Sequence, residues 1–104
     1  MKNLSLKQLK AIQAIAGSAK IVNAAKMLGL TPPAVTIPLR QVEEDLGLSL
    51  FDRTQEGMRL TAAGRAVVDA AQSIEERLRL LEDEIDAIKG VRAGSLRLGV
   101  VSTA

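Results

Sequence analysis

A mainly helical fold is what this sequence predicts: three short helices and a two-stranded hairpin, followed by one long helix. Three patterns predict it. In and just beyond AAKMLGLTPPAVTIPLRQVEE, residues 24–44, Val35, Leu39, Val42 and Leu46 recur at gaps of four, three and four, one stripe of a 3.6-period helix. In LSLFDRTQEGMRL, residues 48–60, short apolar runs flank Gln55-Glu56-Gly57, which is hairpin-turn chemistry. Farther on, Val67, Ala71, Ile74, Leu78, Leu81, Ile85 and Ile88 repeat at alternating gaps of four and three, an a/d heptad seam.

Taken in order, LSLKQLKAIQAIA, residues 4–16, sets Leu6, Leu9, Ile12 (or Ala11) and Ile15-Ala16 along one face, with Lys7, Lys10 and Gln13 facing away. That is a first amphipathic helix, and Gly17-Ser18 is expected to end it. Residues 20–28 form a second helix with Val22, Ala25 and Leu28 inward, and the small Ala24-Ala25 pair lets another helix approach closely. Gly29 suits the break that follows. The third helix spans about 31–46: Thr31 is placed to cap it through its hydroxyl, and Pro32 fits the first helical position. Gly47, after Leu46, fits its C-terminus. Pro38 lacks the N–H that would bond to the Ala34 carbonyl, so a kink or a late start is expected.

The stripe opposite Val35 and Leu39 holds Pro33, Thr36, Ile37 and Arg40. A short helix, a tight turn and a second helix with small polar groups and one Arg outward is a helix-turn-helix layout. The same stretch also fits an ordinary αα-hairpin. The hairpin after it is a wing, and its Arg53 and Arg59 flank the turn. A guanidinium there suits a phosphate backbone or a minor groove; two solvated arginines are the alternative. Thr61 is a reasonable N-cap for the long helix, although Gly64 stands where a capping box has Glu or Gln. Glu75, Glu76, Arg77, Arg79, Glu82, Asp83 and Glu84 lie outside the seam. So long a stripe exceeds what a small core can cover, and pairing with a second helix is its expected use. After Gly94, Leu96, Leu98 and Val100 alternate with Ser95, Arg97 and Gly99, as in the first strand of a further domain. A lone terminal strand makes no stable sheet, so the sequence is expected to be part of a longer protein. The organisation expected is thus 1–60 winged helix-turn-helix, 61–92 pairing helix, and 93–104 the start of a truncated domain.

Composition narrows the function. The 104 residues hold no cysteine and no histidine, which removes disulfides, thiolate chemistry and the usual zinc sites. No metal or cofactor is expected. With Phe51 the one aromatic residue, stacking of bases on aromatic platforms is implausible, which argues against a single-strand or RNA reader. No apolar run is long enough to span a membrane and no basic-then-apolar leader precedes the first helix, so a cytoplasmic location is the default. No P-loop or dinucleotide glycine pattern is present, and Glu43-Glu44-Asp45 reads as a solvated helix end, so no enzymatic activity is expected. Charge is uneven. Residues 1–65 carry nine Lys/Arg against five Asp/Glu, residues 66–92 four against seven, and Arg97 alone follows. A basic part joined to an acidic helix suits phosphate contact by the first and protein contact by the second.

Together, Ala24-Ala25, Leu28, Thr31-Pro32-Pro33-Ala34-Val35-Thr36, Glu43, Leu46-Gly47, Leu50-Phe51-Asp52-Arg53 and Leu60-Thr61-Ala62-Ala63-Gly64 resemble the N-terminal region of LysR-type transcriptional regulators. The match covers about residues 4–92, and Gly94–Ala104 looks like the first strand of that family's effector domain. The resemblance implies a bacterial winged helix-turn-helix and a linker helix that pairs two subunits antiparallel on a partly palindromic promoter site. For the full-length protein it implies a tetramer and a small-molecule inducer bound by the missing domain. Carried over residue by residue, it implies DNA contact by Thr31, Thr36 and Arg40 in the helix and by Arg53 in the wing. Pro32, Pro33, Ile37 and Arg59 complete the candidate set, and Val67, Ala71, Ile74, Leu78, Leu81, Ile85 and Ile88 are the candidate dimerisation residues. The family pattern usually has Gln where Pro32 stands, and polar or basic residues at Ile37 and Pro38. Pro32 offers only apolar contact, for example to a thymine methyl group. A competing reading makes the heptad helix the working part of a protein-interaction module, with the helical unit only a cap. Binding that is flat with salt would favour it.

Overall fold

The computed structural model describes residues 4–93, so the strand expected after Gly94 lies outside the described residues. The order is α1 (Leu6–Ser18), α2 (Ile21–Leu28), α3 (Pro32–Leu46), β1 (Phe51–Thr54), β2 (Gly57–Leu60) and α4 (Ala62–Ala93). The chain divides into two compact units, Met1–Gln72 and Ser73–Ala104. The first therefore extends past the boundary expected at residue 60 and takes in the opening turns of α4. Packing explains it: Val68 is buried in the same cluster as Val35, Leu39 and Phe51, and Ala63 and Val67 pack against that cluster.

The core of the first unit is aliphatic. Ile12, Ile15, Val35 and Leu50 are fully buried, and Ala11, Ala14, Ala24, Ala25, Leu39 and Val42 join them. Each large side chain taken out of water contributes about 1.5–3 kcal/mol, and the alanines on α1 and α2 let the helices meet closely. The inward stripe is narrower than the sequence pattern: Leu6 is 46% and Val22 56% exposed.

Helix ends carry local signals. Ser5 and Gln8 form a capping box, in which Ser5 Oγ accepts from the Gln8 N–H and Gln8 Oε1 accepts from the Ser5 N–H. Gly17-Ser18 are the last two residues of α1, as expected, but neither is the left-handed cap. The helix runs through Ser18, whose hydroxyl donates to the Ala14 carbonyl, and the cap is Ala19 at φ 62°. That left-handed turn aims the Ala19 carbonyl at the hairpin, where it accepts from Met58 N–H at 2.7 Å. Gly57 sits against it at φ 128°, and a Cβ there would lie 2.4 Å from the Ala19 oxygen. No other residue fits both the dihedral and the space.

α3 starts at Pro32 and ends at the left-handed Gly47. It runs without interruption past Pro38, so the late start does not occur. A proline inside a helix costs about 3 kcal/mol, and burial of Val35, Leu39 and Val42 offsets it. Thr31 is the N-cap residue but makes no side-chain cap bond; two prolines leave few first-turn N–H donors from which its hydroxyl oxygen could accept. Thr61 behaves as expected. Its hydroxyl oxygen accepts from Gly64 N–H at 3.0 Å and its O–H donates to the Ser49 carbonyl at 2.7 Å. Gly64 has a reason beyond capping, since a Cβ there would lie 2.0 Å from the Leu50 oxygen. That close approach seats α4 against the chain leading into the hairpin.

Candidate nucleic-acid interface

On α3, Thr31, Pro32, Pro33, Ile37 and Arg40 are exposed and Thr36 is half-buried. The outward stripe is therefore where its periodicity put it. The chemistry of that stripe is narrower than its residue types suggest. Thr36 Oγ1 donates to the Pro32 carbonyl at 3.2 Å, with the Pro33 carbonyl at 3.4 Å, so its proton is used within the helix and only lone pairs face outward. Pro32 and Pro33 have no N–H, and the Ala34 N–H bonds to the Thr31 carbonyl at 3.0 Å. The N-terminus of α3 thus lacks the free amides that make helix starts good anion sites. Past the N-cap Thr31, Arg40 is the first side chain along the helix stripe with a proton to give.

The hairpin separates its two arginines. Phe51 pairs with Leu60, Asp52 with Arg59, Arg53 with Met58 and Thr54 with Gly57. Side chains alternate across a strand and cross-strand partners share a face. Arg53 and Met58 are therefore on the face of the buried Phe51, and Arg59 is on the opposite face beside Asp52. A groove of about 210 Å³ is lined by the polar Thr36, Arg40, Glu43, Ser49 and Arg53 and by the apolar Ile21, Leu39, Phe51 and Met58. Arg59 is not among its residues. Arg53 of β1 is brought together with Thr36 and Arg40 of α3, and the two candidate wing arginines are not equivalent.

Glu43 is not a solvated helix end. Its Oε2 accepts from the Leu50 N–H at 2.8 Å, tying the C-terminal half of α3 to the chain that enters β1. Its spacing of seven residues from Leu50 carries no local signal, so only the fold reveals this role. Leu48, expected in the hairpin, lies outside it and is 59% exposed.

The heptad seam divides. Ala71 is 1% exposed and so is covered by its own chain rather than open to a partner helix, while Val67 is half-buried against the core of the first unit. Within the second unit Ile74, Leu78, Leu81, Ile85 and Ile88 are 37–56% exposed, and Leu80 is 44% exposed. Arg79 bonds to Glu76 at 2.7 Å and Arg77 reaches Glu84 at 4.0 Å, both solvated pairs of little energetic weight. No helix among the described residues is long and apolar enough to cross a membrane.

The pattern of bacterial regulatory helix-turn-helix proteins of the lysR family matches residues 6–65. The HTH-type transcriptional regulator CbbR of Rhizobium meliloti (strain 1021) is 52% identical over 103 residues, 99% of this chain and 33% of that protein. The RuBisCO operon transcriptional regulator of Allochromatium vinosum is 42% identical over 101 residues, 97% of this chain and 33% of that protein. The chain thus spans about a third of the length of the curated relatives it matches. Among solved structures, the CbnR_DBD–DNA complex superposes with a TM-score of 0.75 at 34% identity, covering 83% of this chain and 99% of that one. The BenM_DBD/catB site 1 DNA complex shares the fold, at a TM-score of 0.78 and 20% identity over 84% of this chain and 98% of that one. With the family pattern running from α1 into the start of α4, the chain belongs to the LysR family of bacterial regulatory helix-turn-helix proteins.

Proposed function

We propose that this chain is the DNA-reading part of a transcriptional regulator that binds double-stranded promoter DNA sequence-specifically. α3 lies in the major groove and the hairpin at the adjacent backbone or minor groove. The observation that carries this reading is the convergence of Thr36, Arg40 and Arg53 on one groove. Arg40 is the base reader, because its fork matches guanine O6 and N7. Arg53 is a phosphate contact, because a wing guanidinium positions without reading sequence. Thr31 and Thr36 offer hydroxyl oxygens nearby, Pro32, Pro33 and Ile37 offer apolar contact, and Arg59 meets the backbone only from the far face of the hairpin. Support comes from the DNA-bound CbnR_DBD structure and from relatives named as transcriptional regulators.

The exposed stripe Ile74, Leu78, Leu81, Ile85 and Ile88 pairs two copies, which places two α3 helices on the halves of a partly palindromic site. The full-length protein is a cytoplasmic, non-enzymatic tetramer, with an inducer-binding domain beyond residue 93. The test is selection of the 104-residue chain against randomised duplex DNA, followed by titration over a range of salt. A RuBisCO operon promoter is the first natural duplex to try, given the relatives of that name. An enriched site and a log–log salt slope of about −0.9 for each phosphate contacted are expected. No enrichment together with salt-independent behaviour would favour the protein-interaction module instead.

A further inference from the structure

The first half of the outward face of α3 has almost no hydrogen-bond donors. Pro32 and Pro33 are exposed and carry no N–H, and Ile37 is 54% exposed. The Thr36 hydroxyl, the one donor of that stretch, gives its proton to the Pro32 and Pro33 carbonyls. Pro33 and Ile37 are four residues apart and so are neighbours on the helix surface, with Arg40 three residues farther on. The face is therefore an apolar patch followed by a cation.

Major-groove edges respond to such a face in different ways. Guanine presents two acceptors, N7 and O6, and thymine presents O4 with a C5-methyl group. Two guanine acceptors pressed against Pro33 and Ile37 would lose water and gain no donor, which is unfavourable. A thymine methyl group on the same patch removes apolar surface from water. We propose that Ile37, supported by Pro33 and Pro32, is a specificity-determining residue that seats the C5-methyl group of thymine in each half-site, with Arg40 reading the neighbouring base pair. The proposal rests on the DNA-binding reading above and adds the ligand group that this patch recognises. It implies that the methyl group rather than the base is sensed, so 5-methylcytosine is a partial substitute.

The experiment starts from the duplex enriched by the 104-residue chain. Each thymine in turn is replaced by deoxyuridine, which lacks only the methyl group, and affinity is measured at fixed salt. At one or two positions per half-site the loss should be about fourfold, the worth of one buried methyl group. At those positions 5-methylcytosine paired with guanine should bind more tightly than cytosine paired with guanine. Ile37→Ala should bind thymine and deoxyuridine duplexes equally, with helicity unchanged because Ile37 lies outside the core cluster. Deoxyuridine tolerated at every position, or an Ile37→Ala variant that still discriminates, would overturn the proposal while leaving DNA binding intact. Failure to enrich any duplex would overturn both.

Discussion

Val35, Leu39 and Val42 in α3 are at most 5% exposed, whereas Ile74, Leu78, Leu81, Ile85 and Ile88 in α4, at the same three-and-four spacing, are 37–56% exposed. The two stripes are equally apolar and equally helical. They differ in what the same chain offers to cover them: α1 and α2 pack on the first, with Phe51 in the same cluster, while the described residues of the second unit, Ser73–Ala104, form one helical segment with no second layer among them. Periodicity tells which face is apolar but not whose surface covers it. Ala71 makes the point within one seam, since it shares the heptad register of Ile74 and Leu78 yet is buried in the first unit, with Val67 half-buried one step before it.

The largest effect that would sharpen this contrast is on stability. Ile15 is fully buried, so Ile15→Ala should cost about 2–5 kcal/mol through lost transfer and a residual cavity. Ile85→Ala should leave unfolding of the first unit unchanged and lower only whatever part of the transition depends on protein concentration. Chemical denaturation at two concentrations separates them. Equal losses for both variants would mean that the stripes are covered alike.

Close packing at Gly64 is next in size. A Cβ there meets the Leu50 carbonyl, so Gly64→Ala should push α4 away from the hairpin entrance and cost about 1–3 kcal/mol, despite alanine's better helix propensity. A stabilised variant in thermal melts would show that α4 does not need that approach.

Within the hairpin the contrast is between faces. Arg53→Ala should make the salt slope of duplex binding shallower by roughly one unit and weaken specific and random DNA alike, while Arg59→Ala, on the face of Asp52, should change it less. Titrations over salt with both variants rank them, and a larger change for Arg59 would turn the wing over. The smallest effect concerns Ala19, held at φ 62°. Ala19→Gly should raise stability by about 0.5–1 kcal/mol by relieving the left-handed strain, and a loss in denaturant titration would mean that the turn gains more from a restricted unfolded chain.

Much of this was legible in the sequence because it is written in periodicity. The three helices, the hairpin around Gln55-Glu56 and the long helix follow from apolar spacing and turn residues, and the outward stripe of α3 follows from the inward one. The Ser5-x-x-Gln8 capping box is equally local. What spacing does not carry is tertiary. The left-handed cap falls on Ala19 rather than on Gly17 because the hairpin docks there, through Met58 N–H. Gly64 reads as a missing capping partner until the Leu50 carbonyl is seen beside it. Of the site, Thr36, Arg40 and Arg53 could be nominated singly, but their convergence, the exclusion of Arg59 and the commitment of Glu43 to Leu50 depend on how α3 and β1 meet.

In the proposed function a basic reading head and an apolar pairing stripe act together on two half-sites. Leu81, mid-stripe and 45% exposed in the single chain, tests it most directly. Leu81→Arg would place a charge where a partner helix requires apolar surface. Pairing makes engagement of the second half-site effectively intramolecular, which raises affinity by about 10²–10⁴. Leu81→Arg should be a monomer by sedimentation at micromolar concentration, bind a full site more weakly by that factor, and bind an isolated half-site nearly unchanged. A variant that remains dimeric, or that binds the full site as tightly as the parent chain, would contradict it.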